Sequence, residues 1–122
     1  MKYKNILQID DDFDDCEFFQ QALEAVSNAV YMAMHNPVEA LEKLTSKEIE
    51  PDLIFLDINM PMMTGLEVLA EIKKSDIIKN IPVILFSTAL VTPKLAKTLG
   101  AKDYLSKPNN FNELKDALRE II

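Results

Sequence analysis

Two segments of this chain, Leu53-Ile54-Phe55-Leu56 and Val83-Ile84-Leu85-Phe86, are apolar at four consecutive positions. A strand with one face in water alternates apolar and polar residues. An unbroken apolar run this short therefore reads as a strand covered on both faces, as in a parallel sheet flanked by helices. Ile6-Leu7-Gln8-Ile9 reads as a third strand. Val30 to Met34 and Asp103-Tyr104-Leu105 are weaker and suit the two edges of the sheet.

Between these runs, apolar residues recur at spacings of three and four, the helical period. Cys16, Phe19, Leu23 and Val26 make one stripe, and Val38, Leu41 and Leu44 a second. Leu69 and Ile72 make a third, Leu95 and Leu99 a short fourth, and Phe111, Leu114, Leu118 and Ile121 the last. Asn36-Pro37-Val38-Glu39 supplies an N-cap, a proline at the first helical position and a glutamate three residues after the cap. Thr64 with Glu67, and Asn110 with Glu113, repeat the cap and glutamate, and Thr92-Pro93 opens the fourth helix. Gly100 can end that helix in a left-handed conformation. The order is βα five times over, and right-handed crossovers then put helices on both faces of one sheet. At 122 residues, with no linker or repeat, the chain is expected to be one α/β domain.

Charge and composition narrow the function. Thirteen Lys and Arg against 20 Asp and Glu give a net charge of −7, which disfavours nucleic-acid phosphates as partners. No apolar run approaches the ~20 residues that span a bilayer, so no membrane partner is expected. The N-terminus lacks a signal-peptide pattern. Cys16 is the single cysteine, so neither an internal disulfide nor an all-cysteine metal site can form. The default compartment is the cytoplasm.

Ligands of an open parallel sheet bind beyond the carboxyl ends of its strands. There this sequence places Asp10, Asp11 and Asp12, then Asp57-Ile58-Asn59-Met60-Pro61, then Ser87-Thr88-Ala89, then Ser106-Lys107-Pro108. Clustered carboxylates repel unless they share protons or a cation neutralises them. Oxygen ligands without His or Cys favour a hard cation such as Mg²⁺. A carboxylate such as Asp57 can accept a phosphoryl group, with Mg²⁺ and a lysine stabilising its equatorial oxygens and a hydroxyl such as Ser87 donating a hydrogen bond.

Asp10-Asp11, Asp57-Ile58-Asn59-Met60-Pro61 with Gly65, Ser87-Thr88-Ala89 and Lys107-Pro108, at these separations, resemble the receiver domain of two-component response regulators over essentially the whole chain. The resemblance implies a flavodoxin-like (βα)5 three-layer sandwich with a parallel sheet of order 2-1-3-4-5. It implies a single receiver domain over residues 1–122 with no output domain. A sensor histidine kinase or phosphotransfer protein would phosphorylate Asp57, and the signal would leave through a downstream protein. Asp10, Asp11, Asp57 and the backbone carbonyl of Asn59 would hold Mg²⁺. Lys107 would pair with the phosphoryl group, Ser87 would be the switch hydroxyl, and Tyr104 the aromatic that turns inward when it moves. A cis Lys107-Pro108 bond and a monomer or weak dimer are also implied. Such a domain catalyses only its own phosphorylation and dephosphorylation. Thr64 departs from the usual Asp and Ser87 from the usual Thr, and both keep a capping or donating oxygen.

Other readings compete. A phosphatase of the haloacid-dehalogenase type wants Thr or Val where Asp14 stands, and a flavin phosphate would be repelled by the acidic first loop. A phosphorylation-independent docking module of the same fold is the remaining alternative. Asp12 reads as the N-cap of the first helix, with Asp14 and Asp15 favourable at its positive end. His35 reads as a loop residue, Cys16 as core, and Met60, Met62 and Met63 as local packing.

Overall fold

Apolar runs and caps become ten elements in strict alternation in the computed structural model, which describes residues 2–88 and 91–122. They are β1 (Asn5–Ile9), α1 (Phe13–Val26), β2 (Val30–Met34), α2 (Pro37–Thr45), β3 (Leu53–Leu56), α3 (Gly65–Lys74), β4 (Val83–Ser87), α4 (Pro93–Thr98), β5 (Asp103–Ser106) and α5 (Phe111–Ile121). Ala89, part of the third motif, lies outside the described residues.

The strands form one parallel sheet of order β2-β1-β3-β4-β5. Pleating sends alternate residues of β3 to opposite faces. Leu53 and Phe55 join Phe19, Ala22 and Leu23 of α1 and Leu114 and Leu118 of α5. Ile54 and Leu56 join Ala40 and Leu44 of α2, Val68, Leu69 and Ile72 of α3, and Ala96 of α4. Two helices thus cover one face and three the other, which is why β3 and β4 show no polar alternation. The edge strands β2 and β5 are only partly covered, as their weaker runs suggest.

Every expected cap is made. Asp12 accepts from the backbone N–H groups of Asp14 and Asp15, and Asn36 from those of Val38 and Glu39. Among the described residues the reciprocal capping box is complete at Thr64 and Glu67. Gly100 has φ of +102°.

Two stripes face differently from expectation. Leu95 of α4 and Leu99, its C-cap, are exposed and Ala96 is buried, because six residues leave room for one sheet-facing position and a small side chain brings the helix close. In α2, Val38 is exposed, while Pro37, Ala40 and Leu44 face the sheet. Among the described residues no helix is long and apolar enough to cross a membrane.

Candidate functional site

Three residues at the carboxyl edge are each the first beyond a strand, and each N–H continues a ladder. Asp10 donates to the Met34 carbonyl at 3.0 Å, Asp57 to Ile9 at 3.0 Å and Lys107 to Ser87 at 3.1 Å. The sheet therefore fixes these three backbones before any side-chain contact is made. One carboxylate oxygen each from Asp10, Asp11 and Asp57 lies within 4.8 Å of the others. Asp10 is fully buried, Asp57 keeps 6% exposure, and Asp11 is half-buried, so the cluster opens to solvent on one side.

Lys107 balances part of this charge. Its Nζ donates to Asp10 Oδ2 at 2.8 Å and to Asp15 Oδ2 at 2.7 Å, and stands 3.7 Å from Asp57 Oδ2. Burial alone would lower the lysine's affinity for its proton. The Asp10 and Asp15 hydrogen bonds and the charges of Asp10 and Asp57 outweigh it and hold the ammonium above its ordinary range. Burial pushes Asp10 up to about 6, against the opposing hydrogen bonds from Lys107 and the Asp12 N–H. A carboxyl this reluctant to ionise beside two others is a site short of positive charge. The all-oxygen donor set suits a hard divalent cation, so the residues present fit Mg²⁺.

The remaining expected residues lie nearby in different settings. Asn59 is exposed, two residues past Asp57. Ser87 is fully buried at the end of β4, and its carbonyl accepts both the Lys107 N–H and, at 3.0 Å, the Tyr104 hydroxyl. Tyr104 is half-buried and already tied inward by that bond. Desolvation is the first cause of its raised pKa. Among the described residues no peptide bond is cis, so Lys107-Pro108 is trans, contrary to the expectation.

Other side chains add to the surroundings. His35 is not a bare loop residue: its Nδ1 lies 2.9 Å from the Asp10 carbonyl, to which it donates as the tautomer that bears hydrogen there, and its ring stacks on Phe13. Cys16 is buried as expected, with Sγ 3.7 Å from the same carbonyl. Met60 is buried and Met63 packs on the core, but Met62 points to solvent with φ of +69°. Asp15 is the site residue that sequence reasoning missed. Its helix phase carried the signal, because Asp15 shares the α1 face of Phe18 and Phe19.

A doubly wound α/β sheet with three carboxylates and a lysine converging past its strand ends defines a flavodoxin-like domain with these charged groups gathered at its carboxyl edge. The family follows from comparison: residues 6–119 match the response regulator receiver domain, and the chain belongs to that family. It is 37% identical over 120 residues to the transcriptional regulatory protein ZraR of Klebsiella oxytoca, covering 97% of this chain and 26% of that protein. The chain thus spans about a quarter of that relative's length. Among solved structures, it resembles the phosphorylated cyanobacterial phytochrome response regulator RcpA, with a TM-score of 0.85 and 31% identity over 98% of this chain and 91% of that one. The Mn²⁺-bound response regulator Rcp1 gives a TM-score of 0.83 and 28% identity over 97% and 91% of the two chains.

Proposed function

We propose that the protein is a phosphorylation-activated response regulator that accepts a phosphoryl group on Asp57. The observation that carries this reading is the cluster of Asp10, Asp11 and Asp57 within 4.8 Å, with the Lys107 ammonium 3.7 Å from Asp57. An Asp57 carboxylate oxygen attacks phosphorus in line. As the new O–P bond forms, the P–N bond of a phosphohistidine, or the P–O bond of an acyl phosphate, breaks, and its electron pair leaves with the donor.

Asp10, Asp11, Asp57 and the Asn59 carbonyl would hold Mg²⁺, and the Mn²⁺-bound relative supports a divalent ion here. When bound, the ion offsets negative charge on the transferring group. Lys107 donates to the phosphoryl oxygens, and Ser87 supplies a further donor if its hydroxyl turns toward the site. Ser87 and Tyr104 are the proposed switch, because one hydrogen bond already links them. Movement of β4's end would shift the surface of α4, β5 and α5. The donor is a sensor histidine kinase or phosphotransfer protein, and the readout is a downstream protein that meets the altered surface. The one buried thiol suits a reducing compartment such as the cytoplasm.

Incubation with Mg²⁺ and acetyl phosphate tests the assignment by intact mass. One added phosphate is expected on the wild type and none on Asp57→Asn. Equal labelling of both would overturn it.

A further inference from the structure

Lys107 has three carboxylate partners at unequal distances. Asp15 Oδ2 at 2.7 Å and Asp10 Oδ2 at 2.8 Å are charge-assisted hydrogen bonds, whereas Asp57 Oδ2 at 3.7 Å is beyond hydrogen-bond range. The ammonium is drawn toward α1 and away from the proposed acceptor. Asp15 is not one of the three acids placed to share a cation. Its carboxylate is nonetheless held in place. Its N–H donates to the Asp12 cap at 3.1 Å, and burial of Cys16, Phe19 and Leu23 anchors the helix that carries it.

We infer that Asp15 is a positioning residue that acts through Lys107, holding the ammonium off Asp57 and competing with the incoming phosphoryl group for it. This rests on the reading of Asp57 as the phosphoacceptor. To donate to phosphoryl oxygens, Lys107 must loosen one of its two short bonds. Asp10 is fully buried, and no water can reach its carboxylate to replace the lysine's hydrogen bond. The Asp15 side chain is 41% exposed and can be resolvated. Asp15 is therefore the partner that is exchanged. A pair so open to solvent is weak, so its removal changes rates by roughly two- to fivefold rather than by orders of magnitude.

The test is the initial rate of Asp57 phosphorylation by acetyl phosphate in Mg²⁺, on the full chain, for wild type, Asp15→Asn, Asp15→Glu and Asp14→Asn. Thermal melts accompany each to establish that it is folded. Asp14→Asn removes the same charge one residue away, and among the described residues the ion pairs of Lys107 are with Asp10, Asp15 and Asp57, not with Asp14. Asp15→Asn is expected to be about two- to fivefold faster than wild type. Asp14→Asn should accelerate clearly less, and Asp15→Glu should return the rate toward wild type. If Asp15→Asn matches or falls below the wild-type rate, the competition is absent. If Asp14→Asn accelerates equally, the effect is bulk charge and the inference fails. If the wild type takes no phosphate on Asp57, the acceptor reading itself falls and this inference with it.

Discussion

Gly65 lies directly against the main chain of Asp57. A Cβ on Gly65 would fall on the Asp57 carbonyl oxygen and come within 2.7 Å of Ile58 Cα. The Gly65 N–H also donates to the Ile58 carbonyl at 2.8 Å, so the first turn of α3 clamps the segment that leaves β3. The requirement is for space, since Gly65 is not among the residues with positive φ. Neither neighbour is a flexible side-chain end that could swing aside.

Gly65→Ala should therefore push α3 and the Asp57 backbone apart. The expected cost is of the order of 3 kcal/mol, the upper end for overpacking. Urea unfolding measures it, and phosphorylation by acetyl phosphate should slow in parallel because the Asp57 carbonyl moves with its carboxylate. A midpoint equal to the wild type's would show that the clamp is dispensable.

Asp10 has a price at neutral pH, and its sign can be worked out. Burial raises it from an ordinary 3.8 to about 6 in the folded protein. Between these values the unfolded chain has released the proton and the folded one still holds it. Stability from this group therefore falls as pH rises through that window, and the deficit is complete above it. Two pH units correspond to about 3 kcal/mol at most. Asp10→Asn removes the term. Without divalent ions, the variant should gain about 1–3 kcal/mol on the wild type between pH 4 and pH 7. Urea unfolding at the two pH values tests this, and a difference that stays flat contradicts it.

Much of this architecture was legible because it depends on local pattern. Four apolar residues in a row identify β3 and β4, and each capping side chain sits where its sequence places it. The convergence of Asp10 and Asp57 was legible too, because first-residue-past-strand positions in adjacent parallel strands must be neighbours, whereas Lys107 leaves β5, beyond β4, and reaches them only through its long side chain. What escaped depends on packing between elements. The facing of α4 turned on Ala96, whose small size carries no periodic signal. Asp15 looked like a helix-dipole acid, because its pairing with Lys107 depends on how α1 sits beside the strand ends. Gln8, polar inside β1, accepts at Oε1 from the Tyr31 hydroxyl at 2.6 Å, a cross-strand contact that sequence spacing does not predict, while among the described residues its Nε2 is left without a hydrogen-bond partner.

Cys16 should be inert in the native protein. It is buried on α1, and desolvation together with the Asp10 charge pushes its thiol up to about 12, leaving little thiolate at pH 8. A thiol-reactive chromogenic disulfide is expected to label it only as fast as the protein opens, and to completion in denaturant. Full native labelling within seconds would place the thiol at the surface.

Tyr104 separates hydroxyl from ring. Its O–H donates to the Ser87 carbonyl, but that carbonyl also takes the Lys107 N–H at 3.1 Å. Tyr104→Phe thus removes one of two donors and leaves no orphaned acceptor, so it should cost only about 0.5–1.5 kcal/mol. The ring packs against the cluster beneath α4, and Tyr104→Ala also loses that contact. The Ala variant should be less stable than the Phe variant by a further 1 kcal/mol or so, given a half-buried ring. Urea midpoints of the two variants decide the matter. Equal losses would mean that the hydroxyl alone ties β5 to the end of β4, while no loss in Tyr104→Phe would remove the hydrogen bond from any part in coupling them.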